Sequence, residues 1–294
     1  MSEVDIDELI QQGFNVEKSE LDLREKELKD ETVVALGKSE KMKNVTALFL
    51  EFNEIGDEGI IALAESEYTK NITVLNMFKN QVTDEGLKVV AASKNFLNLS
   101  ELILSDNKIT SVGAKALAES KTLGSMVSLW VGDSLGDEGV RALAESQTLT
   151  RLNLLSLYRN DIGNEGAKAI AASKNLSKLV ELNLNWNFIE AEGIQALAST
   201  ETLKNLKQLT LTYNPIGIAG AKAIADSENF KNLTLLDLYE AGIGDEGAMA
   251  LADSDHLGNL ETLVLIKNDI SEAIQEKVKN STKLKKLSNV IFTR

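Results

Sequence analysis

The stretch Leu155-Ser-Leu-Tyr-Arg-Asn160-Asp-Ile-Gly-Asn-Glu-Gly166-Ala-Lys-Ala-Ile-Ala-Ala-Ser173-Lys-Asn-Leu-Ser-Lys-Leu-Val-Glu181 recurs, in altered copies, from Leu21 to the C-terminus. Leu155 and Leu157 alternate as in a short strand, Asn160 marks a turn, and Ala169, Ile170 and Ser173 keep helical spacing. A return loop carrying Leu176 and Leu179 closes the unit. One such unit cannot bury its own apolar face, so the copies must stack.

Several columns fix the register together. Strand leucines fall at Leu21, Leu48, Leu75, Leu102, Leu129, Leu155, Leu182, Leu209, Leu236 and Leu263, a period of 27 with one slip to 26. A hydroxyl closes each helix, at Ser39, Ser66, Ser93, Ser120, Ser146, Ser173, Thr200, Ser227, Ser254 and Ser281. The turn asparagine recurs at Asn53, Asn80, Asn107, Asn160, Asn187, Asn214 and Asn268, with Ser134 and Ala241 as exceptions. The single deletion lies between Val131 and Gly139, and Lys26 stands at the asparagine position of a degenerate first copy.

With Leu179, Leu182, Leu184, Asn187 and Ile189, followed elsewhere by Gly-Asp-Glu-Gly and Ala-Leu-Ala, the pattern resembles the ribonuclease-inhibitor-type leucine-rich repeat family across nearly the whole chain. The resemblance implies an α/β, right-handed leucine-rich-repeat solenoid. It is a horseshoe with a parallel β-sheet on the concave face and α-helices on the convex face. Parallel strands sit about 4.8 Å apart while a helix with its side chains needs roughly 10 Å, so the stack is expected to curve. Residues 1–20 read as an N-terminal cap, with Ile6, Leu9, Ile10 and Phe14 on one face of a short helix. Residues 21–270 hold the repeats, and 271–294 a decaying repeat with a closing strand at Val290 and Phe292. Lys277, Lys279, Lys283, Lys285, Lys286 and Arg294 at that end read as edge protection.

The turn asparagines are expected to bond the backbone of adjacent repeats as a ladder, with water or a distortion at Ala241. Glycines at Gly59, Gly86, Gly113, Gly139, Gly166, Gly193, Gly220 and Gly247 are expected to permit close helix-to-strand packing. Asp57, Asp84, Ser111, Asp137, Asn164 and Asp245 suit the N-cap or first turn of their helices.

Composition narrows the function. A formal net charge of −14 disfavours nucleic acid or an anionic membrane as partner and favours a basic or apolar one. Without cysteine there is no disulfide framework, thiolate metal site or cysteine nucleophile. The acidic start, Met-Ser-Glu-Val-Asp-Ile-Asp-Glu-Leu-Ile, is unlike a signal peptide, and the expected setting is cytoplasmic, with export by other signals left open. Gly242-Ile-Gly244-Asp-Glu-Gly247 matches a dinucleotide fingerprint, but its acids would meet a pyrophosphate, and its siblings share the acids without the first glycine. Six glycosylation sequons, such as Asn71-Ile-Thr and Asn232-Leu-Thr, recur because the repeat does. His256 is the single histidine, so schemes needing two imidazoles are closed, and Asp253 and Asp255 beside it are expected to be solvated residues of a polar helix-end loop rather than metal ligands. No cofactor and no catalytic or metal residues are expected.

Sorting residues by column points to the concave side. The positions just before, just after, and three and four beyond each first strand leucine collect Phe49, Phe52, Phe78, Trp130, Tyr158, Trp186, Tyr213 and Tyr239, eight of the fourteen aromatics. A solenoid does not require aromatics there, and clustered exposed aromatics mark binding surfaces. Acids in these columns, among them Glu20, Asp22, Glu25, Glu51, Glu101, Asp106, Asp133, Glu181, Asp237 and Glu240, outnumber Arg24, Lys79, Arg159 and Lys267. The expected function is a protein-interaction module that grips a protein or extended peptide, basic and apolar, in an acidic, aromatic hollow. Trp130, Asp133, Trp186, Tyr239 and Glu240 belong to that surface. Two alternatives stand beside it: a GTPase regulator similar to the Ran type, with Arg159 as its charge-stabilising residue, and a recognition module of a pathogen effector or sensor. The oligomeric state is left open.

Overall fold

The computed structural model describes residues 6–293. The chain divides into two units by internal contact: the first takes the chain up to Leu135 with Ser146–Leu152, the second Gly136–Glu145 with the chain from Asn153 onward. The outermost residues of the expected cap and the terminal Arg294 lie outside the described residues.

The first unit opens with helix α1 (Ile6–Gly13) and then alternates strands β1 (Glu20–Asp22), β2 (Ala47–Phe49), β3 (Val74–Asn76), β4 (Glu101–Ile103) and β5 (Ser128–Trp130) with helices α2 (Asp30–Lys38), α3 (Asp57–Glu65), α4 (Asp84–Ala92) and α5 (Ser111–Glu119). Its strands pair in parallel and in chain order, with Leu21, Leu48, Leu75, Leu102 and Leu129 in register. The second unit holds α6 (Gly136–Glu145), β6 (Leu154–Ser156), α7 (Asn164–Ala172), β7 (Glu181–Asn183), α8 (Ala191–Ser199), β8 (Gln208–Thr210), α9 (Gly217–Ala225), β9 (Leu235–Asp237), α10 (Gly244–Ala252), β10 (Thr262–Val264), α11 (Glu272–Lys279) and β11 (Asn289–Ile291). Leu155, Leu182, Leu209, Leu236, Leu263 and Val290 share its parallel register.

Each unit is thus a stretch of α/β solenoid. The strand leucines are at most 1% exposed, and each stabilises the stack by roughly 2 kcal/mol when fully buried. Ile10 of α1 is fully buried as the cap requires, while Phe14 bridges to Leu21 and covers the first strand. No helix among the described residues is long and apolar enough to cross a membrane.

Polar ladders tie each repeat to the next. The asparagine ladder is present: Asn187 Nδ2 donates to the carbonyls of Leu157 and Leu184, and its Oδ1 accepts from the amides of Asn160 and Ile162. Asn53, Asn80 and Asn107 repeat this pattern in the first unit. The helix-end hydroxyls form a second ladder. Ser93 Oγ donates to the Ala64 carbonyl one repeat earlier at 2.5 Å and accepts from its own loop at Asn95, Ser173 does the equivalent with Ala144 and Asn175, and Ser227 donates to Ala198. The sequon asparagines Asn71, Asn98 and Asn232 donate to carbonyls of Lys43, Lys70 and Lys204, which gives their recurrence a packing reason.

The helix-start acids act differently from their expected role. They lie in the first turn, but their carboxylates cap the helix of the following repeat. Asp84 accepts from Thr110 N at 2.8 Å, Thr110 Oγ1 at 2.6 Å and Gly113 N at 2.9 Å. Asp137 takes the amides of Gly163 and Gly166, and Asn164 those of Glu190 and Gly193. The glycine column serves this contact and close packing on the core together. A Cβ on Gly113 would lie 2.5 Å from Asp84 Oδ1, and one on Gly166 2.7 Å from Asp137 Oδ1 and 2.6 Å from the Ile162 side chain, while at Gly220 and Gly247 the nearest atoms belong to Ile216 and Ile243.

Where the acid is missing, the backbone reroutes. Ala191 and Ile218 occupy the acid column, and the residues due to be capped, Gly217 and Gly244, adopt φ of 63° and 58°. Their amides donate to backbone carbonyls of the following repeat, at Ala241 and Asn268. This is also what happens at the interrupted asparagine ladder. Ala241 is fully buried, its carbonyl receives Gly217 N at 3.0 Å, and Ile216 N turns back to the Asn214 carbonyl, so the gap is closed by a distortion of the chain. The dinucleotide-like turn is committed in the same way, since Asp245 accepts from Ser271 N and Oγ.

Replacing Asn187 by Ala strands buried backbone donors and acceptors on two repeats and lowers the unfolding free energy by at least about 2 kcal/mol. Ala191→Asp brings a carboxylate to amides of Gly217 and Gly220 that already donate to the carbonyls of Ala241 and Ile216, so it changes that free energy by less than about 0.5 kcal/mol. Equilibrium denaturation separates the large effect from the small one.

Candidate functional site

In most strands the central leucine points under the helices while its two neighbours are partly open, so the flanking columns line the sheet face that carries no helices; Ala47 and Ser156 are buried exceptions. The next residues out from each strand lie in a turn. The position four beyond the leucine is left-handed in nearly every repeat: Glu25, Phe52, Lys79, Asp106, Arg159, Trp186, Tyr213, Glu240 and Lys267 have φ between 50° and 58°. An L-residue there costs about 1–2 kcal/mol, least for Asn or Asp. Phe52 and Trp186 bear that cost while 43% and 47% exposed, so burial returns little of it.

On the second unit, Trp186, Tyr213 and Tyr239 form a continuous row. The ring centroids of Trp186 and Tyr213 are 4.0 Å apart, and those of Tyr213 and Tyr239 5.1 Å apart. Lys267 Nζ sits 5.4 Å from the Tyr239 ring centre and 2.9 Å from Glu240 Oε2, which closes the row with a cation. The hydrogen bond to Glu240 raises the Lys267 pKa above its ordinary value. Tyr213 donates its hydroxyl to the Tyr239 hydroxyl at 3.4 Å, and that bond, ahead of burial, raises its pKa. Tyr239 itself is only 6% exposed, which corrects its expected place on the open surface: Tyr213 and Lys267 cover it, and it serves as the floor of the row. Tyr158 is half-buried with the Arg159 guanidinium 5.9 Å from its ring centre.

On the first unit, Phe52 and Phe78 meet edge to face at 5.3 Å, with Lys79 Nζ 5.1 Å from the Phe52 ring centre. Phe49 lies under the Arg24 guanidinium at 5.8 Å. Trp130 is half-buried at the end of β5, in register with Ile103, and Asp133 is half-buried in the turn beyond.

Charge is unevenly divided. Most of the column acids, Glu20, Asp22, Glu25, Glu51, Glu101, Asp106 and Asp133, belong to the first unit, against Arg24 and Lys79. The second unit instead surrounds its aromatic row with Asn183, Asn185, Thr210 and Thr212. Arg24 grips Asp22 through Nε at 2.9 Å and Nη2 at 2.6 Å, which holds the Asp22 carboxyl below the usual range. Burial pushes Glu51 and Glu101 the other way.

The sequence columns missed Phe188, 63% exposed beside Trp186. Its column is otherwise filled by Glu54, Gln81, Lys108, Asp161, Pro215, Gly242 and Asp269, so an aromatic stood out there, but at the helix edge of the turn rather than over the strands. The loop around His256 is committed to structure: its amide donates to Ser254 Oγ, and Asp255 pairs with Lys283, which lowers the Asp255 pKa.

The profile described as Leucine Rich repeat matches residues 41–64, 70–91, 97–118, 145–171, 175–198, 202–225 and 231–252, together more than half of the chain. The chain belongs to the leucine-rich repeat family. Its fold is similar to solved structures that include an internalin (InlF) of Listeria monocytogenes, at 21% identity and a TM-score of 0.48, over 94% of this chain and 87% of that one. No curated protein matches it in sequence.

Glu51 gives this face a pH signature. Its raised folded pKa means that the native state holds the proton more tightly than the unfolded chain, so its effect on stability worsens as pH rises through the ordinary glutamate range and above. Glu51→Gln therefore raises the melting temperature at pH 7, and the difference from wild type shrinks as pH falls below about 4, measured by thermal denaturation across pH.

Proposed function

We propose that the chain is a protein-interaction module that binds a protein or extended peptide across the open sheet face, with aromatic anchors and no chemistry of its own. The observation that carries this reading is the pair of exposed aromatics, Phe52 and Trp186, in strained left-handed turns, each heading a group of rings capped by a lysine. Large rings left open to solvent, in a turn column that elsewhere mostly holds Glu, Lys, Asp and Arg, do little for the core and suit the centre of an interface, where Trp and Tyr dominate binding energy. The charged groups that flank the rings are held in pairs, Arg24 with Asp22 and Lys267 with Glu240, as positioning groups rather than as a nucleophile and base. The helix in each outer segment supports the ribonuclease-inhibitor type within the family, and a cysteine-free chain suits a reducing, cytoplasmic setting.

Taken by itself, the face of the first unit suits a basic and apolar ligand, and that of the second an amphipathic one. Trp130→Ala with Trp186→Ala removes two partly exposed rings. Quantitative affinity capture is expected to lose the partner at least tenfold with the melting temperature nearly unchanged; retention of the same partners by the double variant rejects the aromatic face as the binding surface.

A further inference from the structure

Beside the cap, a cavity of about 490 Å³ opens between the end of α1 and the first two repeats, lined by Gln12, Gly13, Asp22, Arg24, Glu25, Lys26, Glu51 and Phe52. Glu51 is 7% exposed, and among the described residues nothing hydrogen-bonds its Oε2. A buried carboxylate oxygen without a donor is expensive, since buried polar groups are ordinarily paired. The nearest cation does not answer it: Arg24 stands 3.9 Å from Glu51 Oε1, beyond hydrogen-bond distance, and its guanidinium is committed to Asp22 by two bonds.

We propose that this cavity receives a cationic side chain, lysine or arginine, of the protein partner, with Glu51 Oε2 as its hydrogen-bond acceptor. The inference rests on the binding-module reading and adds the chemistry of one contact. Two observations and one general energy argument favour a cation over a neutral donor. With Asp22 neutralised by Arg24, the cavity keeps Glu25 and Glu51 against Lys26, and the surrounding sheet face is acidic. Its wall includes Phe52, a ring that already accepts a cation from Lys79 at 5.1 Å. A charge-assisted bond is about twice as strong as a neutral one, which suits an acceptor that must offset burial. Entry needs only side-chain motion, because Arg24 and Phe52, which line the cavity with Glu51, are both exposed.

The test uses the carboxyl carbon resonance of Glu51 in the full-length labelled protein, titrated with N-acetyl-arginine amide, N-acetyl-lysine amide and N-acetyl-glutamine amide. A saturable shift at Glu51 with one or both cationic probes, absent with the glutamine probe, is expected. In Glu51→Gln the affinity read on the Phe52 ring signals falls at least tenfold. The wild-type titration stands without any variant, so a folding defect in Glu51→Gln does not blunt it. Equal response to the glutamine probe, or a non-saturating shift shared with helix acids such as Glu58 and Glu85, overturns the proposal. An unresponsive Glu51 in a protein whose partner is still lost on Trp130→Ala with Trp186→Ala removes the cation cavity and leaves the binding module.

Discussion

Side-chain hydrogen bonds from one repeat to the backbone of its neighbour are the constraint on which this structure depends. A repeat of this length has three-residue strands and helices of about nine residues, neither stable alone. Burial of the leucine columns drives stacking, but apolar contact is indifferent to small slips. The asparagine, hydroxyl and carboxylate ladders are not, because each side chain must meet particular backbone groups of a neighbouring repeat. Asn187 alone serves the amides of Asn160 and Ile162 and the carbonyls of Leu157 and Leu184. Register and polar satisfaction are therefore enforced by the same atoms.

That enforcement leaves the open face free to vary. Backbone needs are met from within the turns and beneath the helices, so the columns over the strands can carry Phe, Trp, Tyr, Asn, Thr or acid without disturbing the stack. The left-handed position four beyond the leucine shows this freedom most clearly. It holds Glu25, Phe52, Lys79, Arg159 and Trp186 with φ between 53° and 58°, so the backbone geometry belongs to the repeat and the side chain to the surface. Two chemically distinct faces result, a strongly acidic one with phenylalanines and one with a Trp–Tyr row among amides and hydroxyls, where Glu181, Asp237 and Glu240 stand against Arg159 and Lys267.

Much of this was legible in the residues. The leucine columns predict the strand register, Ile10 predicts a buried face on the first helix, and the recurrent asparagine predicts the ladder, because each of these signals is periodic or local. The aromatic columns likewise place Phe52 and Trp186 on the open face. What the columns do not carry is how neighbouring side chains screen one another: Tyr239 shares a column with Tyr158 but ends as the floor of its row, since Tyr213 and Lys267 close over it. Phe188 escaped notice because its exposure follows from the edge of a turn and not from strand alternation.

The sequence by itself determined the repeat length, the strand and helix order, and which residues face the leucine core, for these follow from periodic burial. It left open the conformation of residues whose partners lie about one repeat away. Gly163 and Gly217 occupy the same column with the same side chain, yet Gly163 has φ of −102° and Gly217 of 63°. Only the stacked structure decides between them: Asp137 reaches the Gly163 amide, while Ala191 offers Gly217 nothing, so its N–H must turn to the Ala241 carbonyl instead. A buried amide takes whichever acceptor its neighbouring repeat presents.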